Sequence, residues 1–377
     1  MANPKVEALL KQGQSIWQDD IARSMLITGK LASTIKEVGV RGLTSNPTIF
    51  EKAISGGTDY DAQISELLGE GKAAQDIFEA LEVSDLQGAL DLFRPIYDQS
   101  EGRDGFCSIE VFPDAARDAN QTRIQTRRLW DEVNRPNLMV KIPGTAEGAP
   151  VVGEMLAQGI NINITLLFSI AAYERVAWAY VEALEKRAAA GQPIDRIASV
   201  ASFFVSRVDT LVDKMLDEKI ASDPGNAAKY EALKGKIAVA NAKLAYAKYQ
   251  EIFGGDRFAK LKAAGARPQR PLWASTGTKN PAYSDTLYVD TLVGPDTVNT
   301  MPEKTIAAFL DHGSTERAVD KDVDQSRQLM ADLAAAGIDI DAVTHQLEEE
   351  GIASFVKSFE SLLDGVEAKR SQLAGVR

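Results

Sequence analysis

Short apolar runs alternate with longer amphipathic stretches along most of this chain, and that alternation is what most limits the fold. The runs are SIWQD (15–19), VGVRGLT (38–44), GFCSIEVF (105–112), NLMVKI (137–142), GININI (159–164), RIASVASFF (196–204), RPLWAS (270–275) and LYVDTLV (287–293). Runs of this length and composition read as strands. Between most of them lie segments with helical apolar spacing, among them 116–133, 149–158, 170–190 and 227–253. Strand and helix in alternation build a parallel sheet. Eight such units in 377 residues predict an α/β chain closed as a (β/α)8 TIM barrel with additional helices, especially at the C-terminus. A doubly wound open sheet is the alternative, but no GxGxxG follows the first strand. No repeat of 20–50 residues suggests a solenoid. From about Pro302 to Leu373 the pattern is helical, and no Pro/Gly/Ser-rich linker sets that tail apart. One domain is therefore expected over 1–377, a barrel at about 14–302 with a helical extension at about 303–377 packed on it.

The apolar fraction is 45 % and the charged fraction 25 %, ordinary for a globular chain. The net charge of −12 argues against nucleic acid, which needs clustered Lys and Arg. It leaves room for a small basic pocket that holds a phosphorylated metabolite. No segment approaches the roughly 18 uninterrupted apolar residues of a membrane span. The N-terminus, MANPKVEALLKQGQ, lacks an apolar core followed by a small-residue cleavage site. Cys107 is the single cysteine, so no intrachain disulfide forms, and a cytoplasmic location is expected.

Side chains alternate along a strand, and a parallel strand between amphipathic helices has no wet face. In GININIT, Ile160, Ile162 and Ile164 point one way and Asn161, Asn163 and Thr165 the other. The polar row then lines the barrel interior, where each amide and hydroxyl needs a partner. Asp19 shares a face with Ser15 and Trp17, Thr44 with Asn46, Ser108 with Glu110, and Ser202 with Phe204. Lys141 opposes Val140 and Ile142. Most of these polar residues fall at the C-terminal ends of strands, where barrels of this kind place their sites.

The interior set offers one amine (Lys141), two carboxylates (Asp19 and Glu110), two amides (Asn46 and Asn163) and several hydroxyls. The two histidines, His312 and His345, lie in the helical tail, which argues against a histidine triad or a histidine-ligated metal. Asp320, Asp322 and Asp324 mimic the start of a calcium loop. Gln325 stands where that loop needs glycine and Ala331 where it needs glutamate, so the three read as a helix cap with solvated charges. An amine in an apolar site loses affinity for its proton, and the neutral amine attacks a ketone to form a Schiff base. Glu110, through a water held by Thr165, suits the proton transfers as water departs. Asp19 suits the base that takes the C4 hydroxyl proton during C–C cleavage. The competing reading makes Lys141 and Glu110 a structural buried ion pair, an arrangement that stabilises weakly.

Taken together, these residues resemble transaldolase of the longer bacterial type. The resemblance runs from about residue 14 to about 302 and rests on GLTSNPTIFEKA, SIEVFP, VKIPGT, GININITLLFS, ASFFVSRVD, WASTGTKNP and TVNTMP, in that order. It implies a cofactor-free and metal-free class I Schiff-base barrel. Such an enzyme moves a dihydroxyacetone unit from sedoheptulose 7-phosphate to glyceraldehyde 3-phosphate, in the non-oxidative pentose phosphate pathway. The products are erythrose 4-phosphate and fructose 6-phosphate. The resemblance places the Schiff-base lysine at Lys141, the acid/base carboxylates at Asp19 and Glu110, and the water-holding threonine at Thr165. It places hydroxyl-binding residues at Asn46, Asn163 and Ser202, with Thr44 nearby and Phe204 lining the pocket. The phosphate-binding arginine after the sixth strand falls on Arg207. Shorter members carry a second arginine after the seventh strand. Here the loop is Ala274-Ser275-Thr276-Gly277-Thr278-Lys279-Asn280, and Lys279 with Ser275 and loop amides is expected in its place, the alternative being that Lys279 is a surface loop charge. Two alternatives stay open: an aldolase of the same family that releases free dihydroxyacetone, and a non-catalytic sugar-phosphate-binding barrel. Sugar phosphates are the partners in each case, and the chain is read as a monomer or homodimer.

Overall fold

A computed structural model describes residues 2–45 and 47–374. Eight strands close a parallel barrel in chain order: β1 (Gln14–Gln18), β2 (Gly42–Thr44), β3 (Phe106–Glu110), β4 (Leu138–Pro143), β5 (Ile162–Leu167), β6 (Ser199–Phe204), β7 (Arg270–Ala274) and β8 (Thr297–Met301). β1 closes the ring by pairing with β8 from Gln14–Thr297 to Gln18–Met301. Helices follow the strands as the apolar spacing requires. Ala119–Val133 starts at Asp118, whose carboxylate accepts from the amides of Asn120 and Gln121 at 2.7 and 3.0 Å. Ile170–Ala189 starts at Ser169, whose hydroxyl accepts from the Ala172 amide at 3.0 Å. Each cap satisfies backbone donors that the helix itself leaves open.

Three expectations need correction. LYVDTLV is not the eighth strand: Leu287–Asp290 is a short helix, and β8 lies further on. The buried residues Tyr288, Val289, Leu292 and Val293 follow a helical rather than an alternating spacing, and the Tyr288 hydroxyl donates to Asp209 at 2.9 Å. β8 escapes notice because TVNTM is polar. The barrel partners several of its polar groups: Thr276 donates to Asn299 Oδ1 at 2.8 Å, and Gln14 donates to Thr297 at 3.0 Å, while Asn299 Nδ2 is buried without a partner among the described residues. The stretch 227–253 is not one helix. It divides into Ala227–Glu231 and Ile237–Gly254, because Gly235 takes a left-handed φ of +69° and donates its amide to Asp213 at 3.0 Å. Asp322 precedes the helix Val323–Ala335 at the cap position, but its side chain makes no capping bond.

The barrel interior is layered. Ser15, Asp104 and Arg270 form a polar floor, with Arg270 donating to Asp104 at 3.0 Å and to Ser15 at 2.7 Å. Above it Trp17, Phe106, Met139, Val200, Leu272 and Val298 pack as an apolar septum. Gly42 makes room for it, since a Cβ there would meet the Trp17 indole at 2.6 Å. Of the polar residues named from sequence, Asp19, Thr44, Glu110, Lys141, Thr165 and Ser202 lie above the septum and line one cavity, while Ser15 belongs to the floor. The tail adds Glu303–His312, Val323–Ala335 and the long Ile340–Ala374. This last helix packs on Pro47–Gly56, Asp61–Gly69, Ala74–Gln99 and Ser206–Ser222.

Candidate functional site

Parallel pairing of β3 with β4 sets Glu110 opposite Lys141 on the inward face. Lys141 Nζ donates to Glu110 Oε2 at 2.7 Å and to the Ser45 carbonyl at 3.4 Å. Their side chains are 12 % and 11 % exposed. That remaining exposure faces a cavity of about 560 Å³ at the C-terminal mouth of the barrel. A cavity of this size suits a small metabolite, and a purely structural ion pair has no need of one.

Asp19 follows β1 and lines the same cavity. Its Oδ1 accepts from the Thr44 hydroxyl at 2.6 Å, and Thr44 Oγ1 lies 2.8 Å from Thr300 Oγ1. Burial pushes the Asp19 carboxyl above its ordinary value, opposed by the Thr44 hydrogen bond and the Lys141 charge. A carboxylate raised in this way is a stronger base.

Asn163 is fully buried and is not among the residues that line the cavity. Its Nδ2 donates to Ser108 at 3.0 Å and its Oδ1 accepts from Ser202 at 2.6 Å. Asn163 therefore holds Ser202, which does face the cavity, as do Thr165 and Phe204. The β5–β6 register shifts between Ile164 and Leu167, and Leu166 takes a left-handed φ of 58°. This bulge lets two consecutive residues, Thr165 and Leu166, line the mouth. Asn46 lies outside the described residues.

Arg207 sits in the first turn of Ser206–Ser222, with its guanidinium 5.3 Å from the Phe204 ring centroid. Burial lowers its affinity for its proton, opposed by Glu350. Ser275 also has a left-handed φ, of 55°, and its hydroxyl lies 2.9 Å from that of Ser206. Arg207, Ser275, Gly277 and Lys279 all line the cavity, with Ser275 against the start of the Ser206–Ser222 helix that carries Arg207. The arrangement suits a dianion. Among the described residues no group of three or more His, Cys, Asp or Glu is placed to hold a metal ion.

The family model described as Transaldolase/Fructose-6-phosphate aldolase matches residues 16–366. The chain belongs to this family. It is 48 % identical over 368 residues to a transaldolase of Trichodesmium erythraeum, covering 97 % of both chains. It is 50 % identical to a transaldolase of Mycolicibacterium smegmatis, covering 97 % of this chain and 98 % of that one. It is 49 % identical to a transaldolase of Saccharopolyspora erythraea, covering 98 % and 99 %.

Several cavity residues of this transaldolase-family barrel were not singled out from sequence. Lys52 and Thr300 line the mouth, and Gly351, Ser354 and Phe355 of the C-terminal helix form a wall. A Cβ at Gly351 would meet Leu166 at 3.0 Å and Arg207 Nη1 at 3.7 Å, so glycine lets that helix lie close against Leu166 and Arg207. Glu82, on Ala74–Gln99, is a third buried carboxyl behind Glu110. Burial, followed by the Glu110 charge, pushes it up to about 8, against the Ser45 hydroxyl and the Lys141 charge. No local pattern marks it, since its helix reads as a scaffold. For the C-terminal wall, the helical pattern was visible but its docking face was not.

Proposed function

We propose that this chain is a transaldolase that works through a Schiff base on Lys141. The observation that carries the proposal is the Lys141–Glu110 contact of 2.7 Å facing a cavity that Asp19 also lines. Lys141 Nζ attacks the C2 carbonyl of a ketose phosphate to give a carbinolamine. Glu110 sits where it can move the proton that lets water leave, with Thr165 holding that water. The resulting iminium accepts the electron pair of the C3–C4 bond as Asp19 takes the C4 hydroxyl proton. Cleavage releases an aldose phosphate and leaves the dihydroxyacetone unit on Lys141. A second aldose phosphate accepts that unit by the reverse steps, and hydrolysis frees the lysine. Donor and acceptor are then sedoheptulose 7-phosphate and glyceraldehyde 3-phosphate, as in the non-oxidative pentose phosphate pathway. Thr44 and Ser202 contact sugar hydroxyls, Asn163 positions Ser202, and Asn46 is a further hydroxyl contact by resemblance. Arg207, Lys279 and Ser275 hold the phosphate, with Phe204 beneath the Arg207 guanidinium. Barrel and tail act as one catalytic domain, because the tail walls the cavity.

The family description also covers fructose-6-phosphate aldolases, which release free dihydroxyacetone. Glu110 within hydrogen-bonding distance of the amine favours the transferase. Incubation with fructose 6-phosphate, borohydride reduction and peptide mass spectrometry should place a dihydroxyacetone adduct on Lys141. An adduct elsewhere, or none, overturns the mechanism. Turnover should require erythrose 4-phosphate; equal turnover without it identifies the aldolase.

A further inference from the structure

The barrel has a second cavity, of about 630 Å³, at the end opposite the catalytic mouth. It opens among segments that precede strands: Gly102 and Arg103 before β3, Ala198 before β6, Pro268 before β7, and Asp296 before β8. Its inner end is the septum, where Trp17, Phe106 and Met139 reach it. One wall is the helix Ile237–Gly254, which turns Tyr246, Tyr249 and Phe253 to one side at helical spacing. Tyr246 and Tyr249 stack with centroids 5.3 Å apart, Tyr249 and Phe253 lie 5.2 Å apart, and Phe258 meets Phe253 edge-on at 4.9 Å.

The charged part of the lining is cationic in a chain of net charge −12. Arg103, Lys262, Arg267, Arg270 and Arg317 form it, against a single lining carboxylate, Asp296. Arg103 is matched by Asp296 at 2.6 Å, Arg317 by Asp320, and Arg270 by Asp104 at 3.0 Å. Arg267 is not matched in this way. Its nearest carboxylate oxygen, on the exposed Glu101, is 3.7 Å away. Burial and the nearby Arg196 and Arg103 charges lower its affinity for its proton, with the Glu101 and Asp195 carboxylates opposing. Arg267 Nη1 is buried with no hydrogen-bond partner among the described residues. Arg270, more than nine-tenths buried, likewise leaves its Nε without an acceptor.

We infer that this cavity binds a small planar aromatic anion, its ring against the Tyr249–Phe253 face and its anionic group at Arg267. Crowded guanidiniums without a close counter-charge destabilise one another, and an anion placed among them relieves that cost. The aromatic wall adds stacking that a bare inorganic anion cannot use. The volume falls in the range of small-molecule sites, and the septum separates this site from the catalytic one.

Phenyl phosphate is the probe, titrated calorimetrically into the full chain in the presence of saturating fructose 6-phosphate. One equivalent should bind, and inorganic phosphate should bind at least tenfold more weakly. Arg267→Gln should weaken phenyl phosphate about tenfold while leaving turnover of sugar phosphates unchanged. Lys262→Glu, on the exposed rim, keeps the fold whatever Arg267→Gln does to it, and should weaken binding as well. No saturable binding in the millimolar range overturns the inference. So does loss of binding on adding fructose 6-phosphate, equal affinity for inorganic phosphate, or indifference to both substitutions.

Discussion

Glu82 shows how one buried side chain ties stability to pH. Its carboxyl is held at about 8 against an ordinary value of 4.5, so it is largely protonated at neutral pH. A proton held more tightly in the folded state stabilises fully below the ordinary value. That stability is lost as pH rises toward and through 8, when a third negative charge must be carried behind Glu110. Glu82→Gln removes the titration and keeps the shape. It should change stability little near pH 4 and raise it by on the order of 5 kcal/mol at pH 9. Urea denaturation at the two pH values measures this, and an equal effect at both would remove the titration from the account. Lys141 and Glu110 were legible in the sequence because charge inside an apolar strand is conspicuous. Glu82 was not, because on a long helix a glutamate normally faces water.

At the scale of elements, inward alternation explains how much could be read. Ser15, Trp17 and Asp19 do climb one face of the barrel, and Asp19 ends at the mouth as the strand period requires. The rule gave way at β5, where the Leu166 bulge admits two neighbours in succession, and at β8, whose polar residues disguise a strand. Neither a bulge nor a partner across the barrel is written in local spacing. β2 carries the tightest fit. The Trp17 indole nitrogen donates to Asp104 at 3.3 Å, which restrains the ring from moving away from Gly42. Gly42→Ala should therefore destabilise the barrel by about 1–3 kcal/mol as an overpacked core does. A fall in the thermal midpoint checks it, with Gly191→Ala excluded as a control because its left-handed φ of 68° brings a strain of its own.

For the molecule as a whole, the C-terminal helix joins stability to function. Phe359 packs on Phe112 at 4.9 Å and on Phe78 at 5.9 Å, while Leu362 and Val366 are buried further along the same helix. Lys369 pairs with Asp61 at 2.9 Å near its far end. A chain ending at residue 339 loses these contacts together with the Ser354–Phe355 wall of the cavity. It should melt at least about 10 °C lower and lose most turnover, as calorimetry and a coupled assay would record; the loss of several buried aromatic and aliphatic side chains is large against total stability. Retained activity would mean that the barrel closes its own mouth. The apolar septum has a consequence of another kind. Trp17, Phe106, Met139, Val200, Leu272 and Val298 offer no chain of hydroxyls or carboxylates across the barrel axis. The lumen is thus blind along its axis, so in the proposed reaction water reaches Lys141 by the same doorway that admits the sugar. A bound substrate that fills the doorway also meters its own solvent.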